Sequence, residues 1–580
     1  MNYLSVLNKD LNLENSISFG EKFIYFKREC NLKHWNSYLD KENNIQLIIL
    51  GRPIIEVSDW KSYDNYEDNF ITKFLIKKYI ELDIDAFCNQ LNGAFSILVV
   101  DYEHNRLSII SDKFGIYPIY TFGDTKLNTF QFSSNFKNLE DNISDKLKID
   151  TVSVAEFLKK GFIYHPNTFY KEIKTLDNGS YSILDFDKKE IIIKKYFKVN
   201  SKPVYDFDYL INKLSKALSK SIERRTVKPF GKKVVFLSGG TDSRMIIANS
   251  SDPNIDAITL YTEENHEIKV TKNIAKLLNV KHQLIKRDID YYFNSFDSSI
   301  KINGGRSLPI DDHFLNLKND IRIKKYDTIL TGCYADWMFK GIALDRKQIS
   351  FFTFKLPLYK LQNFHYNFFS KRTLLKQKYE KMIKEREDRI FLDKKSHINN
   401  EISRIFPLFQ EETSATRSTL QQLFPWDSIF SDNDVIEAYS QIPVKYKINS
   451  EVYDRAVSKI LKKVKNIPHA NKRHKIGINK YLGAIFYTIS IIKNKIFKLI
   501  RIKKTDPIAG ESSWISFKEY AKSKSIIKLW EEIQDLKLFK EMLCTKELTF
   551  NEIIKSDYML IYKCIVLDKI LHQNNEKLDD

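Results

Sequence analysis

Lys233-Val234-Val235-Phe236-Leu237-Ser238-Gly239-Gly240-Thr241-Asp242-Ser243 is the stretch on which the fold turns. Its first five residues read as a buried strand, which empties into a Ser/Gly/Thr/Asp loop at the start of a helix. Two adjacent glycines free the backbone to turn its N–H groups inward as an anion nest. The hydroxyls of Ser238, Thr241 and Ser243 add donors, and the helix N-terminus adds positive potential. Asp242 beside a phosphate needs a divalent cation between the two charges, which makes it a candidate Mg²⁺ ligand. A turn that merely caps a helix would use the same residue types. The strand before the hexapeptide and the helix after it favour phosphate binding, and the missing Gly-Lys-Ser/Thr ending separates the loop from the Walker A type. ATP held by Leu237 to Ser243 is the expected ligand.

Working outward, Asp206 to Ser221 reads as a helix, Ser243 to Asn249 as another, Ile255 to Tyr261 as a strand, Glu267 to Leu278 as a helix, and Thr328 to Thr331 as a strand. Such alternation predicts an α/β domain with a parallel sheet and helices on both faces. Upstream the period changes. Ile45 to Leu50, Ala94 to Asp101, Leu107 to Ser111, Ile116 to Phe122 and Phe130 to Ser133 read as short antiparallel strands, with a helix at Phe70 to Leu82. Further strands at Ser180 to Phe186 and Glu190 to Phe197 precede a linker at Val199 to Val204. Residues 1–200 are thus expected to form an α+β domain and 205–580 the α/β domain, with a variable insertion at 345–400 and a mainly helical part beyond 350, ending in an amphipathic helix at Tyr558 to His572.

A chain of 580 residues exceeds one typical core. Its five cysteines form no CxxC or Cys/His cluster, which points to a reducing cytoplasm rather than a disulfide or zinc scaffold. The N-terminus lacks a secretory signal pattern, and the uncharged, mostly apolar run Tyr481 to Ile492 is far short of the ~20 residues that span a bilayer. Net charge is +19, and residues 459–504 hold 14 Lys or Arg with no Asp or Glu. Such a segment suits an acidic peptide, nucleic acid or an anionic membrane surface, but a solvated face is the commoner explanation.

Thr331-Gly332-Cys333-Tyr334-Ala335-Asp336-Trp337-Met338-Phe339-Lys340-Gly341 resembles the S-G-E-G-A-D-E-L-F-G-G segment of the asparagine synthetases and their β-lactam synthetase and lasso-peptide cyclase relatives. The likeness covers nearly the whole chain. Glu267, Ala275 and His282 match further family positions, and Phe430-Ser431-Asp432 is similar to a block that is usually structural. The resemblance implies Mg²⁺ on Asp242 and Asp336, and AMP against Thr331 and Gly332. Leu91-Asn92-Gly93-Ala94-Phe95 and Ser111-Asp112-Lys113-Phe114-Gly115 resemble the family's glutamine amidotransferase domain, an Ntn-hydrolase-like fold.

Several positions depart from the pattern. Glutamine hydrolysis in that fold needs a cysteine at the mature N-terminus, yet position 2 is Asn2, and Leu50-Gly51-Arg52 replaces the substrate-holding N-G-E stretch. No glutaminase activity is expected. In the second half the family's second-step glutamate aligns with Cys333 and its lysine with Glu451, leaving Lys447, Lys475 and Cys333 as candidates for the missing roles. The resemblance implies an AMP-forming amide ligase with a carboxylate and an amine as substrates, independent of glutamine and suited to a specialised substrate such as a peptide. The alternatives are a nucleotide-binding pseudoenzyme that serves as a partner-binding module, an authentic asparagine synthase, and an RNA-modifying relative. The amidotransferase-like half speaks against the last, so no nucleic-acid partner is expected, and the oligomeric state is left open.

Overall fold

Strands that are apolar at every position need cover on both faces, and the first half of the chain provides it in layers. The computed structural model describes residues 2–571 apart from 9–15, 29, 31, 62–67, 124–125, 144–146, 352–353, 363–373, 392–395, 411–412, 501–513 and 545–548. Gly93–Asp101 is buried at all nine positions, between the antiparallel strands Ile45–Pro53 and Arg106–Ser111. Alternate residues serve different layers. Ile48, Leu98 and Val100 meet Leu4, Val6 and Ile24 of a second antiparallel sheet, while Leu47, Ile97 and Val99 pack on Phe70, Ile71 and Leu75 of helix Phe70–Glu81. The far face of the second sheet, through Tyr3, Leu7 and Tyr25, takes Phe136 and Leu139 of helix Phe136–Ile143. The result is helix, sheet, sheet, helix, in the α+β arrangement expected of an Ntn-like half.

The second half is built on five parallel strands in the order His282–Lys286, Ile255–Tyr261, Lys233–Phe236, Thr328–Thr331, Trp426–Ser428. Helices Phe207–Thr226, Asp242–Asn249 and His266–Leu278 share its core. Local signals fix their ends. The Asp206 carboxylate accepts from the Tyr209 amide at 2.9 Å, and Asn265 caps the His266–Leu278 helix by accepting from the Glu267 and Ile268 amides. The last helices form a separate core that also takes Phe157 and Leu158 of the early helix Thr151–Lys160, against Ile565 and Leu567.

Some elements differ from their sequence reading. Only Tyr120–Phe122 of the expected 116–122 strand is extended in a sheet. Pro118 cannot donate a ladder bond, and the residues before it are drawn into a turn around the buried Asp112 carboxylate, which accepts from the amides of Phe114, Ile116 and Tyr117. The chain beyond 350 is not helical from its start: Arg346–Phe351 and Phe354–Leu361 form a hairpin, since Pro357 forbids a helix interior. Strands at Tyr3–Leu7, Lys22–Lys27, His282–Lys286 and Trp426–Ser428 add to those read from the sequence. Parts of the expected 345–400 insertion and of the 459–504 segment lie outside the described residues, as does His572 at the end of the expected last helix.

A buried charge cluster ties helix Phe207–Thr226 to the end of strand Trp426–Ser428 within the second half, and Glu56 of the first half reaches it at 2.7 Å from Arg224. Asp432 caps helix Asn433–Gln441, accepts from Arg224 at 2.8 Å and from Arg225 at 3.0 Å, and Asp427 lies 3.2 Å from Arg225. Arg225, Asp427 and Asp432 have no exposed side-chain surface. Removing one member strands a buried charge, so Asp432→Ala is expected to cost about 3–5 kcal/mol in chemical denaturation. Glu56→Ala, which removes a partner of Arg224 that is 59% exposed, is expected to cost under about 1 kcal/mol in the same experiment.

Candidate functional site

The chain leaves strand Lys233–Phe236 toward Ile255–Tyr261 on one side and meets Thr328–Thr331 on the other, so a crevice opens where the connections diverge. The loops after Lys233–Phe236 and Thr328–Thr331 face each other there. They approach closely because residue 332 is glycine: a Cβ on Gly332 would lie 2.4 Å from the Asp242 Cβ. A third segment braces the loop from outside. The Arg244 guanidinium donates to the carbonyls of Gly239 at 3.1 Å and Ile467 at 2.6 Å, and the Ala470 amide donates to the Gly239 carbonyl at 2.9 Å. Burial pushes the Arg244 pKa down to about 10.

A cavity of about 340 Å³ occupies the crevice. Leu237, Ser238, Asp242, Ser243, Glu267, Thr331, Gly332, Cys333 and Asp336 line it, at the lower end of the size range of small-molecule sites. On one wall the Thr259 hydroxyl donates to the Leu237 carbonyl at 2.7 Å and lies 2.8 Å from His282 Nε2. Burial lowers the His282 pKa to about 4.

The charges inside the crevice answer one another. Lys340 Nζ stands 2.7 Å from Asp242 Oδ2 and 2.8 Å from Asp336 Oδ1, and the Tyr453 hydroxyl donates to Asp242 Oδ1 at 2.6 Å. Burial opposes the charge on Lys340, but the two carboxylates outweigh it and raise its pKa above the usual lysine range. Burial raises the pKa of Asp242 against the pull of Lys340, whereas Lys340 lowers that of Asp336. The loop amides are occupied as well: Gly239 N donates to Glu267 Oε1 at 2.9 Å, Ser238 N to Ser243 Oγ at 2.9 Å and Gly240 N to Ser238 Oγ at 3.3 Å.

Asp242 and Asp336 therefore converge on one cationic point. Two carboxylates facing the glycine loop are of the type that could hold a hard divalent ion. Among the described residues no cluster of three or more His, Cys, Asp or Glu offers a complete protein-made metal site.

The remaining candidates are placed as follows. Thr331 accepts from Trp426 Nε1 at 2.9 Å, which fixes its hydroxyl at the strand end. Gly240 and Thr241 complete the turn into helix Asp242–Asn249. Cys333 lines the cavity. Lys447 is buried in a 2.7 Å pair with Glu401 under the Tyr439 ring, and neither it nor the exposed Lys475 lines the cavity. Two residues carry no recognisable signal in the sequence. Lys340 stands where the resembled segment has glycine, a difference that marked it without giving it a role. His469 Nδ1 accepts from the amides of Asn471 and Lys472, which leaves the proton to Nε2, 3.8 Å from where a Cβ on Gly240 would lie.

In the first half the position of the expected nucleophile is a structural joint. The Asn2 amide donates to the Gln422 carbonyl at 2.7 Å and its Nδ2 to the Gln421 carbonyl at 3.2 Å. Arg52 is buried 5.0 Å over the Trp35 ring and donates to Thr328 Oγ1 at 2.7 Å.

Two family models match the chain in this order: a glutamine amidotransferase domain over residues 62–197 and asparagine synthase over 213–477. A provisionally named asparagine synthetase (glutamine-hydrolyzing) 2 of Methanocaldococcus jannaschii is 31% identical over 181 residues, 30% of this chain and 34% of that protein. Asparagine synthetase (glutamine-hydrolyzing) 1 of Bacillus subtilis is 26% identical over 293 residues, 48% of this chain and 44% of that protein. Asparagine synthetase (glutamine-hydrolyzing) 3 of the same organism is 29% identical over 185 residues, 32% and 29% of the two chains. The matches thus span less than half the length of these relatives. With both family domains in sequence, and with the layered antiparallel half followed by the parallel sheet, the chain belongs to the asparagine synthetase family.

Proposed function

We propose that this chain is a glutamine-independent, AMP-forming amide ligase. The observation that carries the reading is the convergence of Asp242 and Asp336 on one cationic point beside the glycine loop. In the proposed reaction a substrate carboxylate oxygen attacks the α-phosphorus of ATP, the bond to the β-phosphate oxygen breaks, and pyrophosphate leaves. An amine then attacks the acyl carbon, AMP departs with the electron pair of the C–O bond, and the amine proton passes to a base. Leu237 to Ser243 would hold the phosphates, Thr331 and Gly332 would face the AMP portion, and Asp242 and Asp336 would hold Mg²⁺. Mg²⁺ held there would supply charge neutralisation on the phosphates.

Lys340 supports turnover over mere binding. Family resemblance leaves Glu451 where a lysine would neutralise pyrophosphate, and Glu451 is itself paired with Lys480. Lys340 supplies a positive charge beside the glycine loop, where it pairs with Asp242 and Asp336. Asn2 and Arg52, built into the joint between the halves, support an amine that is not drawn from glutamine. A specialised acid, a peptide among the candidates, fits that independence better than free aspartate, and a cytoplasmic setting fits ATP use.

One observation favours a second reading, a nucleotide-binding module without turnover: Lys340 and Glu267 pair with the crevice's own carboxylates and loop amide. Product analysis separates the two. On the ligase reading, ATP with Mg²⁺ and a competent acid yields AMP and pyrophosphate. Asp242→Ala lowers that yield at least about 100-fold, and nucleotide binding without AMP points to the module. Lys340→Met is expected to retain ATP binding by calorimetry while product formation falls by about 100-fold. Incubation with glutamine alone is expected to release no glutamate above a protein-free control, and glutamate release would refute the glutamine-independent assignment.

A further inference from the structure

Helix Lys480–Ile500 presents an apolar surface to solvent. Gly483 and Ala484 are buried on its inner side, toward the hairpin strand Phe354–Leu361. On the other side Tyr481, Leu482, Ile485, Phe486, Ile489 and Ile492 are each 44–59% exposed. At 3.6 residues per turn these six fall within a wedge of roughly 140°. Elsewhere among the described residues, exposed large hydrophobic side chains stand singly or in pairs. A contiguous stripe of this kind marks a surface that is covered in use.

The charge that follows the stripe in the sequence selects the cover. Residues 493–504 contain six Lys or Arg and no acidic residue, within the larger segment of 14 basic residues. A second copy of the chain would bring two such segments together, on molecules that each carry a net charge of +19. An acidic peptide answers the charge but offers the stripe nothing apolar. An anionic bilayer answers both, with acyl chains for the stripe and headgroups for the cations. No described helix is long and apolar enough to cross a membrane, which leaves the interface as its place.

We propose that Lys480–Ile500 is an interfacial anchor that seats the protein on an anionic membrane surface. The anchor is wired to the crevice: Lys480, in its first turn, pairs with Glu451, which opens the helix carrying Tyr453, and the Tyr453 hydroxyl donates to Asp242. A protein seated this way meets its acid or amine substrate at the bilayer surface.

Flotation of the full chain with vesicles tests the proposal. With phosphatidylglycerol–phosphatidylcholine vesicles at about 0.1 M salt, the bound fraction is expected to exceed that with phosphatidylcholine alone by at least about tenfold and to fall steeply as salt rises. The pair Ile485→Glu and Ile489→Glu should lower binding at least about tenfold while calorimetric ATP binding and Tm stay unchanged. If that pair fails to fold, Phe486→Ser provides the same comparison with a smaller change. Absence of vesicle binding, equal binding by wild type and folded variants, or stripe-dependent dimerisation without lipid would each overturn the anchor. None of these outcomes bears on whether the loop takes ATP, which the same variants report separately.

Discussion

The site depends on one close approach, backbone against side chain, where Gly332 lies on Asp242. Parallel strands deliver their loops to the same edge of the sheet, but loops of ordinary residues would be held apart by their own Cβ atoms. A hydrogen atom at position 332 removes that barrier, and the two carboxylates then come within reach of a single cation. The place of Lys340 between the two carboxylates follows from this contact.

Like charge imposes the second constraint. A crevice that gathers Asp242, Asp336 and Glu267 brings three carboxylates together and answers them with groups of its own. Lys340 serves the carboxylate pair and the Gly239 amide serves Glu267. On the proposed function, Lys340 and the loop amides are the groups that would turn to phosphate, and Asp242 and Asp336 those that would turn to a cation.

The glycine loop, the parallel sheet and the layered first half were legible because each has a period or a motif that survives in a single sequence. Gly93–Asp101 and Lys233–Phe236 are long or well-flanked apolar runs, and Asp206 and Asn265 are residues that caps require. Trp426–Ser428 was not legible, since three residues carry no periodicity and the strand exists only because Thr328–Thr331 offers it an edge. The positions of Lys340 and His469 beside the loop were hidden for a related reason: a flexible cation's partners, or a buried imidazole's, are set by distant segments of chain. Lys447 illustrates the converse, a residue eligible by sequence distance whose ammonium is consumed by Glu401 inside a helical layer.

Thr151–Lys160 belongs by sequence to the first half yet contributes Phe157 and Leu158 to the core of the last helices. The chain therefore crosses its own midline and returns. Severing it in the stretch after Val199 would not yield two tidy bodies, since each fragment would carry away half of a greasy seam. The amidotransferase-like half thus has a structural part as well, as the mould into which the carboxyl-terminal helices are cast.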